Sequence, residues 1–313
     1  MGEALRDLRL SILDQSPITD DLDRDATLRE SLSLAELADR EGYHRLWFAE
    51  HHNSLSFGGA APEILTALAL QLTSRIRVGT GGILLPLYAP QKVAESLGLL
   101  QRIHGDRVDI GVGRAAFAAM DFRERLEGVR SLLPPGFPEA AREPEHRVWV
   151  LGAGGSSATL AGQLGAGYAQ GHFLAPSATA RGLHAYREAH ESRPGFAILA
   201  VRAVTADTAE EARCLARAMA LWRARKDLGI DGPIPSIERA AHGTWSEAER
   251  VRADVREAEI LHGTPHLLAQ RVRELAGIHG TDEVMVNTLT SDPRVRAHSY
   301  MLLAEAFRRD GGG

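Results

Sequence analysis

Cysteine is almost absent from this 313-residue chain, which contains only Cys214. A single thiol cannot form an internal disulfide, and no paired-cysteine spacing typical of a zinc site occurs. The sequence also lacks an apolar run of about 18 residues, the length that a membrane-spanning helix needs. Residues 1–10 carry charges throughout and lack the apolar core of a signal peptide. We therefore expect a cytoplasmic protein that uses neither disulfides nor membrane spans.

Dense basic runs are missing as well. The chain has 36 Lys and Arg against 41 Asp and Glu, for a formal net charge of −5. Nucleic-acid and anionic-membrane binders need a concentrated basic patch, so neither partner is expected. One predicted helix does carry several basic residues, which we interpret as a solvated face: Arg213, Arg217, Arg223, Arg225 and Lys226.

Strand-like and helix-like segments alternate along the whole chain. Short apolar runs are typical of parallel strands buried on both faces, and helical spacing follows each of them. The predicted strands are 9–13, 46–49, 76–80, 108–112, 148–151, 168–172 (the weakest), 196–204 and 283–287. Eight strand–helix pairs without a linker predict one (β/α)8 TIM barrel over residues 1–313, an α/β fold. A variable insertion is predicted at about 229–263, before the eighth strand.

Two local patterns define the first helices. Thr27 and Glu30 have capping-box spacing and predict the start of the first helix. Pro62 predicts the start of the second, in which Ile64, Leu68 and Leu72 share one apolar face.

A histidine pair follows the second predicted strand, in the segment Glu50-His51-His52-Asn53. Reactive groups of such barrels gather where the strands end. A neutral imidazole there can move protons or hydrogen-bond a bound ring near pH 7. The alternative is that both histidines only hydrogen-bond the loop. A metal site is disfavoured because adjacent histidines on an extended segment point apart.

Two more strand ends carry candidate binding residues. Gly81 and Gly82, after Thr80, would let a flat ligand approach the backbone closely, although a tight turn would also explain them. Arg114 follows the fourth strand and suits a phosphate or carboxylate through forked hydrogen bonds. An ion pair with a loop carboxylate is the alternative for this arginine.

The most informative segment runs from 148 to 157, where a strand leads through glycines into a helix that begins with Ser156 and Ser157. Backbone N–H groups, the positive helix end and two hydroxyls would together form an anion site. Ordinary N-capping by a serine is the alternative. It does not explain the three glycines Gly152, Gly154 and Gly155.

A dinucleotide fold is a second interpretation of the same glycines, and a weaker one. The fingerprint requires a third glycine where Ser157 stands and an acidic residue about 20 positions later. Residues 171–175 contain no carboxylate. Hydrolytic chemistry has little support either, since no Gly-x-Ser-x-Gly elbow occurs.

Taken together, these segments resemble the bacterial luciferase-like flavin monooxygenase family. The resemblance covers nearly the whole chain in order, and its motifs are jointly specific. It is closest to single-chain oxidoreductases of bacterial secondary metabolism. The matching segments are 46–53, 75–86, 90–95, 105–114, 149–165 and 262–265.

The resemblance implies a TIM barrel that binds reduced FMN (FMNH2) at its strand ends, often as a homodimer. In that family the flavin captures O2 as a C4a-peroxyflavin, which oxidises a small organic substrate. The chain shows no second nucleotide domain, so we expect a separate NAD(P)H:flavin reductase to supply FMNH2.

The resemblance also assigns site residues. His51 matches the flavin-proximal, catalytically important histidine. Gly81 and Gly82 fall at a non-proline cis peptide beneath the isoalloxazine ring, next to Thr80. Phosphate-binding positions are matched by Arg114, Gly154 and Ser157, in a turn that includes Gly155 and Ser156.

Some features depart from the family. The stretch 133–147 is short, glycines occupy the phosphate turn where serine is common, and Gly113 replaces the reactive cysteine of luciferase, so light emission is not implied. The 229–263 insertion corresponds to a variable loop over the active site, which would be a lid or a surface excursion. Two alternatives stay open: an F420-dependent oxidoreductase on the same barrel, and a flavin-binding homologue without catalysis.

Overall fold

The computed structural model describes residues 8–114, 121–133, 148–190 and 196–311. Its strands are β1 (Arg9–Asp14), β2 (Arg45–Phe48), β3 (Arg77–Thr80), β4 (Ile83–Leu84), β5 (Val108–Gly113), β6 (Val148–Gly152), β7 (Gly167–Gly171), β8 (Ala197–Thr205), β9 (Leu261–Gly263) and β10 (Glu283–Asn287). Its helices are α1 (Arg24–Glu41), α2 (Pro62–Leu72), α3 (Pro90–His104), α4 (Phe122–Leu132), α5 (Gly155–Gln163), α6 (Thr179–Ala189), α7 (Ala209–Asp227), α8 (Ile237–His242), α9 (Glu247–Ala258), α10 (Pro265–His279) and α11 (Pro293–Gly311).

The sheet closes on itself as a parallel barrel of eight strands, which confirms the predicted TIM barrel. Closure comes from β10, which pairs with both β1 and β8. The short β4 continues the line of β3 along β5, with Ile83 opposite Val112. In the same way β9 pairs with the end of β8. The weak sixth strand predicted at 168–172 is present as β7, and every residue of it is buried.

The barrel interior is filled in layers. Its middle contains an apolar group in which the rings of Trp47 and Trp149 meet with centres 5.4 Å apart. At the N-terminal end, Arg45 donates to Asp109 at 2.7 Å and to Glu283 at 2.6 Å. Fully paired charges at this end of a barrel stabilise the fold, and the opposite end is left for chemistry.

One local prediction is wrong. Helix α1 begins earlier than Thr27, at Arg24, and its cap is Asp23, which accepts from the N–H of Ala26 at 2.8 Å. The Thr27 hydroxyl instead donates to the carbonyl of Pro17 at 2.8 Å. The Thr27 side chain, which could have capped a helix, therefore links α1 to the preceding loop instead.

The apolar face predicted for α2 exists but points outward. Ile64, Leu68 and Leu72 are 58%, 46% and 47% exposed, whereas Leu65 and Ala69 pack on the barrel. The helix is apolar on more than one side, so periodicity alone did not identify its core-facing side. No helix in the described ranges is long and apolar enough to span a membrane.

Candidate active site

A cavity of about 860 Å³ opens at the C-terminal ends of the barrel strands, and every barrel strand or the loop after it contributes to its lining. The site residues predicted from the sequence line it, except for two. Thr80 is fully buried, and its hydroxyl donates to the carbonyl of Gly111 at 2.8 Å, which joins β3 to β5. Gly155 is the first residue of α5 and is not part of the lining.

His51 lies in the wall of this cavity, in the loop after β2. Its backbone N–H donates to the carbonyl of Gly59 at 2.8 Å, which anchors the loop. Its ring packs on that of Phe57 with centres 4.3 Å apart. Its Nε2 lies 3.4 Å from the amide nitrogen of Gln15, the residue that follows β1. The backbone of His51 is therefore anchored to the loop, and its ring is held by Phe57 and Gln15.

The electrostatic surroundings keep this imidazole uncharged. Burial, assisted by the nearby charges of Lys226 and His52, lowers the pKa of His51 to about 4. With the Gln15 amide donating to Nε2, the ring proton resides on Nδ1. That nitrogen is buried and has no partner among the described residues, and neither has the carbonyl oxygen of Gln15. Two polar groups in the cavity wall are thus available to a ligand.

Glu50 supports the loop on the other side. Its buried carboxylate accepts from the N–H of Leu84 at 2.8 Å, from the hydroxyl of Tyr88 at 2.6 Å and from Nε2 of His52 at 2.5 Å. Burial and this carboxylate raise the pKa of Tyr88. The two histidines therefore point apart, as predicted, and the half-exposed His52 is bound to Glu50.

Gly81 and Gly82 form part of the cavity lining, and the peptide bond between them is cis, as the resemblance implies. A Cβ at Gly81 would lie 2.7 Å from the Cβ of Trp47 and 2.9 Å from Leu13 Cδ1. A side chain does not fit there. The backbone itself is the surface that a ligand would meet.

The turn between β6 and α5 has the features of an anion site. Helix α5 is preceded by Gly154, and no side chain caps its first N–H groups. The alternative of ordinary serine capping is therefore wrong. Arg114 reaches across from β5 and donates to the hydroxyl of Ser156 at 2.5 Å. A Cβ on Gly154 would meet nothing within 4 Å, so there is open space in front of the helix end.

Helix α7 corrects another prediction. Its basic residues are not all on a solvated face, because Arg223 and Lys226 line the cavity. Arg223 pairs with Asp227 at 3.0 Å, and Lys226 pairs with Asp231 at 2.8 Å.

The insertion reaches the cavity only at its beginning. Asp231 lines the rim and accepts from the hydroxyl of Ser56 at 2.7 Å. Its neighbour Ile234 bridges to Thr19. The rest contains α8 and α9, which pack against α7 around a second apolar core that contains Trp245, and ends in β9. The beginning of the insertion is therefore part of the cavity rim, and its helices pack against α7 outside the cavity. Of the shortened stretch 133–147, residues 134–147 lie outside the described residues.

Several lining residues were missed from the sequence. They are Gln15, Phe57, Phe173, Arg202 and Trp222. Strand alternation would have indicated two of them, since Gln15 follows the inward Leu13 and Arg202 follows the inward Ala200. The described residues contain no group of His, Cys, Asp and Glu that could hold a metal ion. The dinucleotide-fold interpretation is wrong, because the sheet is closed.

Comparison with known proteins agrees with this geometry. The family model for luciferase-like monooxygenase matches residues 8–133 and 122–282. The chain belongs to the luciferase-like monooxygenase family. The recognition made from the motifs is thus confirmed.

Individual members of the family align over nearly the full length. The uncharacterized protein YceB of Bacillus subtilis (strain 168) is 35% identical over 332 residues, which cover 96% of this chain and 99% of that protein. An N-acetyl-S-alkylcysteine monooxygenase of the same organism is 30% identical, covering 96% and 98%. The solved structure of apo-MsnO8 has a TM-score of 0.84 and 34% identity, covering 97% of this chain and 98% of that one.

Proposed function

We propose that the protein is an FMN-dependent monooxygenase that oxidises a small organic substrate with O2. One atom of O2 enters the substrate and the other leaves as water, while FMNH2 is oxidised to FMN. The observation that supports this proposal best is the uncapped start of α5 beside Arg114, at one end of a cavity with a bare backbone surface at Gly81.

The residues at the α5 end fit the phosphate of FMN. Arg114 would form charge-assisted hydrogen bonds to its oxygens, together with the hydroxyls of Ser156 and Ser157. The free N–H groups after Gly154 and the positive helix end would add to them. Gly81 and Gly82 would lie against the flat ring, since neither presents a side chain. When bound, reduced FMN supplies the electrons that activate O2 at its C4a carbon.

His51 would serve as the proton-handling group. A pKa of about 4 leaves it neutral at pH 7, with one proton on Nδ1 and no internal partner for it. It can therefore donate a hydrogen bond to an oxygen in the cavity and take part in moving a proton there. Gln15 would hold the ring in the orientation that keeps Nδ1 directed at the ligand.

The aromatic side of the cavity would exclude water from the reaction. Phe57 and Trp222 meet edge to face, with ring centres 5.4 Å apart, next to His51. A cavity without water strengthens the hydrogen bond from Nδ1, and it keeps solvent protons away from reactive intermediates.

Reduced FMN is proposed to come from a separate NAD(P)H:flavin reductase. The described residues form one barrel, and the dinucleotide fingerprint lacks its acidic residue. The reductase would be required for steady turnover but not for a single turnover with chemically reduced FMN.

The test is an anaerobic titration of the protein with reduced FMN, reduced F420 and NADPH, followed by mixing with oxygenated buffer in a stopped-flow spectrophotometer. We expect tight binding of reduced FMN and a flavin absorbance transient that precedes oxidised FMN. Binding of F420, with substrate reduction and no O2 uptake, would replace the proposal by a deazaflavin reductase. FMN binding without an oxygen-dependent transient would indicate a homologue without catalysis.

We further propose that two copies of the chain pair through α2 and α3. Leu99 and Ile103 on α3 are 58% and 61% exposed, and they extend the outward apolar face of α2 (Ile64, Leu68 and Leu72). The ends of the two helices are joined by Gln71 and His104, whose side-chain nitrogens lie 3.4 Å apart. A two-fold axis would pack this apolar surface on its own copy and remove it from water.

Light scattering after gel filtration tests the pairing. Wild type should have the mass of a dimer, and Leu68→Glu should have that of a monomer. Val251→Glu on α9, where the apolar side chain is more exposed than Leu68, is the control and should remain dimeric. A monomeric wild type would remove this proposal and leave the catalytic one intact.

A further inference from the structure

Arg202 is a buried cation at the mouth of the barrel. It lies near the end of β8, on the inward side that also carries Ile198 and Ala200. Only 5% of its surface is exposed, and it lines the large cavity.

Three other arginines of the described chain are buried to a similar degree, and each of them contacts a carboxylate. Arg45 pairs with Asp109 and Glu283 at 2.7 and 2.6 Å. Arg77 pairs with the same Asp109 at 2.5 Å. The third, Arg296, pairs with Asp14 at 2.6 Å. Burial of a guanidinium is thus compensated by an anion at these positions, as it has to be in a medium of low polarity.

Arg202 has no such partner among the described residues. Within the described residues, its hydrogen bonds go from Nε and Nη2 to a single neutral oxygen, the side-chain carbonyl of Asn287, at 3.3 Å each. The faces of its guanidinium are covered by Phe173 and Trp222, whose ring centres lie 5.0 and 5.1 Å away. The rings remove water from the cation without neutralising it.

The neighbouring charges make an added anion more favourable. Burial, together with the positive charges of Arg223 and Arg256, lowers the pKa of Arg202 to about 9, while Glu259 acts in the opposite direction. The group is still a cation at pH 7, in contrast to a typical buried charge that is neutralised by its partner. The pKa of Arg296, with its carboxylate in place, is instead raised.

The unmet donors of Arg202 also have a defined shape. Nε and Nη2 share one acceptor, so Nη1 and the remaining N–H of Nη2 form a free planar edge. Two parallel N–H groups match the two oxygens of a carboxylate. This edge is separated by β7 from the turn before α5, since Arg202 is on β8 and the turn follows β6.

We propose that Arg202 binds a carboxylate group of the substrate and thereby selects carboxylic acids for oxidation. This assignment rests on the proposed function, because it takes the other pole of the cavity, at Arg114, to be occupied by the FMN phosphate. Trp222, which packs on both Arg202 and Phe57, connects the carboxylate site to the wall that holds His51.

The test measures binding of small carboxylic acids beside their primary amides, without flavin, by calorimetry and thermal shift. Benzoate with benzamide, and hexanoate with hexanamide, are the probes. Wild type should bind at least one acid and discriminate against its amide. Arg202→Met should weaken binding of the acid by roughly 10- to 100-fold, the range expected for losing hydrogen bonds from a charged donor. Its affinity for the amide should be unchanged. Arg202→Lys, which keeps the charge but not the planar edge, should lie between the two.

Arg114→Met is the matched control at the other pole of the cavity. It should lose affinity for FMN and keep affinity for the acids, whereas Arg202→Met should show the reverse. If Arg202→Met weakens the binding of reduced FMN and not that of the acids, Arg202 binds the flavin and the inference is overturned. Equal binding of acids and amides by wild type would overturn it too, while the FMN result for Arg114→Met would still report separately on the proposed function.

A measurement without any ligand separates the two possible roles of the buried cation. Arg296→Met breaks an internal ion pair and should lower the unfolding temperature. Arg202→Met removes a charge that has no internal anion and should leave the unfolding temperature unchanged or raise it. A loss as large as that of Arg296→Met would show that Arg202 is a structural residue, which contradicts the assignment.

Discussion

The neutral state of His51 has a measurable effect on stability against acid. Its ordinary pKa of 6.5 holds in the unfolded chain, and burial lowers it to about 4 in the folded protein. At about pH 7 the folded protein is unprotonated and the unfolded chain is mostly so, and the group therefore contributes almost nothing. Below 6.5 the unfolded chain binds a proton that the folded protein does not, so the free energy of unfolding falls as the pH falls. The loss stops near pH 4, where the folded protein is protonated as well.

The size of the effect follows from the two pKa values. One pKa unit corresponds to about 1.4 kcal/mol. The whole interval from 6.5 to about 4 is therefore worth about 3 kcal/mol. At about pH 5 the unfolded histidine is almost fully protonated, and the loss is about 2 kcal/mol.

The perturbation is His51→Gln, which keeps a neutral polar side chain beside Gln15 but cannot titrate. Urea unfolding at several pH values between about 7 and 5 gives the midpoint and slope for each protein. Wild type should lose about 2 kcal/mol more than His51→Gln over this range. Subtraction of the two curves cancels the contributions of all other titrating groups.

His184→Gln is the control, because His184 is exposed on α6. It should follow the wild-type pH dependence. Parallel curves for wild type and His51→Gln would refute the reasoning, since they would show that His51 is not held neutral by burial. The proton-handling assignment would then have no basis.

Two further pairs of substitutions test how the site is built. Gly81→Ala should destabilise the protein by about 1–3 kcal/mol, because the added methyl group overpacks against Trp47. Gly154→Ala should leave stability unchanged and weaken FMN binding. Urea midpoints and FMN titrations distinguish the two variants, and equal losses of stability would contradict the account. Glu50→Ala should cost about 2–4 kcal/mol, because it removes a buried carboxylate that accepts from the partly buried N–H of Leu84 and hydroxyl of Tyr88. His52→Ala, at the exposed end, should cost less than about 1 kcal/mol. The same urea assay checks both, and a reversed order would be inconsistent with the hydrogen bonds seen.

Most of the fold follows from local information in the chain. Continuous apolar runs such as 46–49 can only be buried on both faces, and the helical spacing between them leaves a parallel α/β sheet as the solution. The start of α1 was placed wrongly because Asp23 and Thr27 are both good caps, and contacts with Pro17 decide between them. The outward face of α2 was not recognised because the helix is apolar on several sides.

The site was predictable where its residues are adjacent in the chain. The glycine turn before α5 and the histidines after β2 are local motifs, and the structure brings both to one cavity. Strand alternation could have placed Arg202 in the cavity lining, but not revealed its importance, which lies in a missing carboxylate partner. That absence depends on which side chains of β10, α7 and the loop after β7 surround it in space. The same applies to Arg223 and Lys226, whose helix looks evenly charged in the sequence.

The central claim is that the turn before α5 holds the phosphate of a flavin whose ring lies in the barrel mouth. The most direct test compares the affinities of FMN and riboflavin, which differ only in that phosphate, for wild type, Arg114→Met and the exposed-residue control Arg252→Met. Wild type and Arg252→Met should prefer FMN strongly, and Arg114→Met should lose roughly 10- to 100-fold of that preference while binding riboflavin as wild type does. Equal affinity of wild type for the two flavins, or a preference that survives in Arg114→Met, would contradict the account.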